Sequence, residues 1–127
     1  MKIKLASVSV GNQEKALQFY TGVLGFVKKA DITMGEYRWL TVTSSEEPDE
    51  TELVLEPMAF PPSVVYQQAL FAAGIPATAF KVEDVEKEFE RLQKLGVEFS
   101  TKPTNMGMVT IAKFSDTCGN HLQIFQV

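Results

Sequence analysis

VGNQEKALQFYTGVLGF, residues 10–26, reads as the end of a strand, a capped helix and a stop. Asn12 suits the N-cap, because its short side-chain oxygen can accept an orphan N–H of the first turn. Glu14 follows where a negative charge suits the helix dipole. Ala16, Leu17, Tyr20, Val23 and Leu24 form one apolar stripe at helical spacing. Gly25 permits the left-handed conformation that ends a helix. Residues 82–97, VEDVEKEFERLQKLGV, repeat these signals in the same order. Asp84 is the cap and Glu86 lies in the first turn. Val85, Phe89, Leu92 and Leu95 make the stripe, and Gly96 is the stop. Identity between the two stretches is sparse, yet the order of signals matches, which predicts two modules of one design.

Each stripe needs a sheet to cover, and strand patterns flank both helices. Residues 3–10 alternate. Residues 26–32, 36–44 and 51–56 follow by period and β-branched content, punctuated by Gly35 and by SSEEPDE at 44–50. In the second half, 77–82 precedes the helix, and 97–101, 108–115 and 120–126 come after it. Asn105-Met106-Gly107 and Cys118-Gly119-Asn120 supply turns. Each half therefore reads β-α-β-β-β, an α+β fold. Residues 1–127 are expected as a single domain, with modules at 1–56 and 76–127. The connector, 57–75, carries Pro57, Pro61 and Pro62, then a short helix capped by Ser63 and ending near Gly74.

Composition excludes several classes. A chain of 127 residues, 45% of them hydrophobic, can bury a core without staples. The net charge of −4 and the scattered lysines argue against nucleic acid as a partner. No apolar run reaches membrane-spanning length, so no membrane partner is expected. The start, MKIKLASVSV, alternates like a strand and has no signal-peptide block. The single cysteine, Cys118, cannot form an internal disulfide, which fits a reducing compartment, and a cytoplasmic protein is expected. No nucleophile–His–carboxylate grouping, phosphate loop or cysteine-rich metal motif is present.

KALQFYTGVLGF (15–26) after the first strand and DTCGNHLQIF (116–125) at the end resemble the vicinal oxygen chelate superfamily. This is the group of glyoxalase I, bleomycin-resistance proteins, fosfomycin-resistance thiol transferases and extradiol dioxygenases. The resemblance covers essentially the whole chain. It implies that each βαβββ module gives a curled half-barrel sheet, that the two surround a cavity with helices outside, and that the protein is a homodimer. Metal-using members place one ligand in the first strand and one in the last strand of each module. The resemblance does not name a reaction, because fold does not fix function.

Strand alternation says which residues stand at those positions. With Ala6, Val8 and Val10 on the helix-packed face, Leu5, Ser7 and Ser9 face the cavity. Leu53 and Leu55 pack against the helix, and Glu52 faces in. In the last strand Leu122 and Ile124 pack, while His121, Gln123 and Phe125 face in. The four positions that the resemblance implies are then Leu5, Glu52, Ala77 and Gln123. Leu5 and Ala77 cannot coordinate anything. A transition metal normally takes three or more nitrogen, sulfur or carboxylate donors. No cofactor is therefore expected, and a divalent metal is disfavoured; were one bound, Glu52, His121 and Gln123 would hold it. His121 lies beside the turn, away from the usual ligand positions, so a hydrogen-bonding role is preferred for it.

The expected lining is Leu5, Ser7, Ser9, Trp39, Glu52, Ala77, Ala79, His121, Gln123 and Phe125. Apolar walls with a few polar anchors suit a small organic molecule. For Leu5 and Phe125, core packing is the preferred role. Alternation leaves open whether Trp39 or Arg38 faces in. The preferred function is a metal-free binding protein of the bleomycin-resistance or sequestration type. The alternative is a metal-dependent lyase or isomerase of the glyoxalase type, with Glu52 as general base. A third reading keeps the fold for protein contacts alone. For Met106-Gly107-Met108, packing is preferred to a lid.

Overall fold

The computed structural model describes residues 1–127. Its strands are β1 Leu5–Val10, β2 Val27–Met34, β3 Tyr37–Thr43, β4 Glu52–Pro57, β5 Pro76–Lys81, β6 Phe99–Asn105, β7 Thr110–Ser115 and β8 His121–Gln126. Its α-helices are α1 Gln13–Gln18, α2 Pro61–Ala72 and α3 Val85–Lys94. The chain divides into two compact units, Met1–Tyr66 and Gln67–Val127. Each holds a four-stranded mixed sheet, ordered β1-β4-β3-β2 in the first and β5-β8-β7-β6 in the second. The repeat of signals is thus a repeat of topology. In each unit the first and last strands pair in parallel, and the other pairs are antiparallel. The outer strands of each sheet stay unpaired on one side, so neither closes into a barrel by itself. No helix is long and apolar enough to cross a membrane.

In the first unit, Asn12 caps α1 as its side chain predicts, accepting from the Lys15 amide at 2.9 Å. Such a cap stabilises by about 1 kcal/mol. After Gln18 the helix widens into a π-turn over Phe19–Val23, and the Leu24 amide reaches back to the Phe19 carbonyl. This turn buries Phe19 and Tyr20, whose rings meet edge to face. Val8, Val10, Leu40, Val42 and Leu55 complete the core on the helix-packed face of the sheet. Each fully buried side chain of this kind contributes about 1.5–3 kcal/mol. Ala6 shares their parity but is exposed.

The ladder between β3 and β4 runs only from Thr43↔Glu52 to Thr41↔Val54. Past it, the side chain of Gln13 takes over. Its Nε2 donates to the Arg38 and Leu55 carbonyls, at 2.7 and 2.9 Å, and its Oε1 accepts from the Arg38 amide at 3.0 Å. One amide group thereby pins α1 to two strands and satisfies backbone groups that the sheet leaves open.

In the second unit, Asp84 caps α3 by accepting from the Lys87 amide at 3.1 Å. The Val85 amide is taken by Gln126 Oε1 at 2.7 Å, which ties the helix start to the end of β8. Val85 and Leu92 pack with Ala112, Phe114, Leu122 and Ile124 in the core. Phe89, Phe99 and Phe114 form a run of ring contacts beneath α3. Leu95, expected in this stripe, is exposed at the C-cap.

Several boundaries differ from expectation, and two elements show why. The connector helix begins at Pro61, so Ser63 lies within its first turn and does not cap it. The physical reason is the ring of Pro61, whose fixed φ and missing N–H suit the first helical position. The second strand of the second unit starts at Phe99 and runs on to Asn105, two residues later at its start and four at its end than alternation suggested. It tolerates Pro103 because β6 is an edge strand.

Candidate functional site

Register decides which side chains share a face. In the first unit, Leu5, Ser7 and Ser9 stand beside Glu52, Val54 and Glu56, and Glu52 and Val54 stand beside Thr43 and Thr41. These residues occupy the face opposite the buried Val8, Leu40, Val42 and Leu55. Trp39 alternates with Thr41 and Thr43 and so belongs to it too, while Arg38 turns to the helix side. The question that alternation left open is settled by ion pairs. Arg38 grips Asp31 through Nε and Nη2, at 3.0 and 2.7 Å, and Glu14 of α1 through Nη1 at 2.9 Å. The Arg38 guanidinium hydrogen-bonded to Asp31 holds that carboxyl at about 2, below its usual 3.8. Solvent reaches this network, so it fixes geometry more than it adds stability.

Glu52 is the central polar group of the face. Its side chain is 15% exposed. Oε1 accepts from the Thr41 hydroxyl at 2.7 Å, and Oε2 lies 3.9 Å from Lys4 Nζ, outside hydrogen-bond range. The Lys4 ammonium instead donates to the Asp49 and Glu50 carbonyls. Thr43, opposite Glu52 in register, is only 2% exposed, and its hydroxyl is buried without a partner. A hydroxyl left so costs about 1–3 kcal/mol. Leu5, next to Glu52 on the other side, is 48% exposed. Thr41 and Thr43 were not anticipated as site residues. Their signal was the alternation of threonine with Leu40 and Val42 in a central strand.

In the second unit, Ala79 stands beside Gln123, and Lys81 beside Phe125. Lys113 flanks Gln123 and Ser115 flanks His121 on the other side. Ala77 falls in a register shift between Pro76 and Thr78, so the residue next to Gln123 is Ala79. The His121 ring stacks on Phe71 of α2, with centroids 4.1 Å apart and planes within 9°. Its Nε2 lies 3.2 Å from the Phe71 carbonyl oxygen. A carbonyl only accepts, so Nε2 carries the proton there and Nδ1 is left as a buried atom without a partner.

The turn before β8 is built on Asp116, which is fully buried. Its Oδ1 accepts from the Cys118 and Asn120 amides, at 2.7 and 3.0 Å, and its Oδ2 from Asn120 Nδ2 at 2.8 Å. Gln67 of α2 donates to Asn120 Oδ1 at 3.2 Å. Cys118 is buried and forms no disulfide. DTCGNHLQIF is thus a carboxylate-centred turn feeding an interior strand.

Could these faces hold a metal? No group of three His, Cys, Asp or Glu side chains in the structure is placed to bind one. Leu5 beside Glu52, and Ala79 beside Gln123, set hydrocarbon where donors are needed. Neither face by itself gathers the three donors that a transition metal normally takes. A surface hollow of about 320 Å³ lies elsewhere in the first unit, lined by Gln13, Glu14, Glu36, Tyr37, Arg38 and Met58 among others. It adjoins the Arg38 ion pairs and is separate from the Glu52 face.

Paired βαβββ units, each with a helix on one face of its sheet, define the class. The sequence model of the Glyoxalase/Bleomycin resistance protein/Dioxygenase superfamily matches residues 2–124, and the chain belongs to that superfamily. YurT of Bacillus subtilis (strain 168) is 52% identical over 126 residues, 99% of each chain. The crystal structure of UcmS2 superposes with a TM-score of 0.85 at 31% identity, covering 98% of this chain and 97% of that one. TnmS3, an antibiotic binding protein from Streptomyces sp. CB03234, gives 0.79 at 32% identity, covering 99% and 95%.

Proposed function

We propose that this chain binds a small organic molecule without a metal, in a pocket built on the Glu52 face, and does no chemistry on it. The observation that carries the reading is the donor set, with hydrocarbon at Leu5 and Ala79 beside the polar groups Glu52 and Gln123. Trp39, Leu5 and Val54 supply apolar wall, and Ser7, Ser9, Thr41 and Glu52 supply polar anchors. On the second unit's own sheet, Ala77, Ala79, His121, Gln123 and Phe125 are the corresponding candidates. The antibiotic-binding relative TnmS3 supports a binding role over a catalytic one. The test is thermal unfolding with a panel of ring-bearing antibiotics, and separately with Zn²⁺, Ni²⁺ and Mn²⁺. A true ligand at a hundred times its Kd stabilises by about 2.7 kcal/mol, which raises Tm by roughly 8 °C. The metals are expected to leave Tm unchanged. A metal that stabilises comparably and is retained one per chain sinks the metal-free reading and favours the lyase or isomerase with Glu52 as base.

We also propose a cytoplasmic homodimer. The twelve residues of α2 carry no charged side chain, and none of them is buried; Val65 and Tyr66 are 69% and 66% exposed. An uncharged helix with large exposed apolar side chains is a poor match for water and a good one for a second copy. The reduced, buried Cys118 thiol suits the cytoplasm. Light scattering at micromolar concentration is expected to give twice the chain mass of 14.1 kDa. The single chain mass would refute the dimer.

A further inference from the structure

We propose that the Glu52 face selects organic cations, molecules with an apolar ring-bearing body and a protonated amine seated between Glu52 and Thr43. The proposal rests on the reading of this face as a small-molecule site and names the class of molecule it takes.

Glu52 is a carboxylate mostly withdrawn from water, with one oxygen engaged by Thr41 and the other 3.9 Å from Lys4 Nζ, an ion pair without a hydrogen bond. A carboxylate oxygen in that position has acceptor capacity left. Thr43 makes an independent case. Its buried hydroxyl has no partner and stands beside Glu52 in register. A buried polar group without a partner marks a place where something polar is missing. The missing group must donate to Glu52 and can also donate to the Thr43 oxygen. An ammonium carries several N–H donors and satisfies both. A carboxylate or phosphate would meet the charge of Glu52, and a second carboxylate, Glu56, stands four residues along the same strand on the same face. Trp39, four residues from Thr43 along the same strand, supplies an aromatic surface for the ring-bearing body. Leu5 and Val54 supply the apolar contact for the rest of the molecule.

Three tricyclic probes of one shape separate the possibilities, titrated calorimetrically into the full chain at neutral pH. They are 9-(aminomethyl)acridine, a cation at its primary ammonium; acridine, neutral; and acridine-9-carboxylate, an anion. The cation is expected to bind about tenfold more tightly than acridine, and the anion most weakly of the three. Glu52→Gln keeps an oxygen for Thr41 and is expected to cut the cation-to-neutral affinity ratio about fivefold. Thr43→Val removes the orphan hydroxyl without changing shape, and it is expected to lower the same ratio while the fold, read by circular dichroism, persists. If acridine binds but the cation shows no advantage, or Glu52→Gln leaves the ratio unchanged, the cation proposal is overturned and the binding reading survives. If none of the three binds, the cation proposal is overturned; if the antibiotic panel also fails, the binding reading falls with it.

Discussion

Asp116→Ala is expected to lower the stability of the second unit by about 4 kcal/mol, among the largest single-residue losses this chain can show. The carboxylate is fully buried and receives three hydrogen bonds, two from backbone amides and one from the Asn120 side chain. Alanine removes the acceptor that these three donors share. Hydrogen bonds to a charged group are roughly twice as strong as neutral ones, so their loss outweighs the relief of burying a charge. The Asp116 amide also donates to the Asn120 carbonyl, so the turn has little freedom to refill the gap with water. Asp116→Asn keeps one acceptor oxygen and is expected to lose about half as much. Urea unfolding followed by far-ultraviolet circular dichroism reads both, and Trp39 fluorescence reads the first unit separately. A variant whose midpoint matched that of the parent would show that Asp116 does not hold the turn.

Gly119→Ala is the second large effect, expected at about 3 kcal/mol, and it has two separable causes. Gly119 has φ of +101°, a conformation that an L side chain rarely adopts. A Cβ there would also lie 2.7 Å from Gln67 Oε1 and 2.8 Å from its Cδ. Gln67 would have to swing away and release its contacts with the Cys118 carbonyl and Asn120 Oδ1. Gln67→Ala removes the clash but not the backbone strain. In that background Gly119→Ala is expected to cost about 1–2 kcal/mol, the strain alone. Equal costs in both backgrounds would assign the whole effect to the backbone.

Much of the fold could be read from single side chains. Asn12 and Asp84 cap their helices as their chemistry requires, and the alternation of β1, β4 and β8 put Leu5, Glu52 and Gln123 opposite the buried residues. What stayed hidden depends on partners far away in the chain. Trp39 and Arg38 could not be told apart by polarity, because the facing direction of β3 there is enforced by Glu14 and Asp31. The register shift at Ala77 leaves no mark in composition, since a bulge is one residue with no opposite number. Ser63 looked like a cap, but Pro61 starts the helix two residues earlier. The DTCGN turn was legible as a turn. That its acidic residue is buried at the centre was not, although an Asp two residues before the amide it accepts from is a known turn signal.

Sheet order bears on how the chain leaves the ribosome. β4 completes the first sheet with the second half still unmade, so that unit has every strand it needs while synthesis continues. The second has no such head start. Its last strand to emerge, β8, is interior, the sole bridge between β5 and β7. A nascent polypeptide halted before residue 121 would present two open strand edges together, which makes late-stalled or C-terminally clipped products the natural targets of chaperones and proteases.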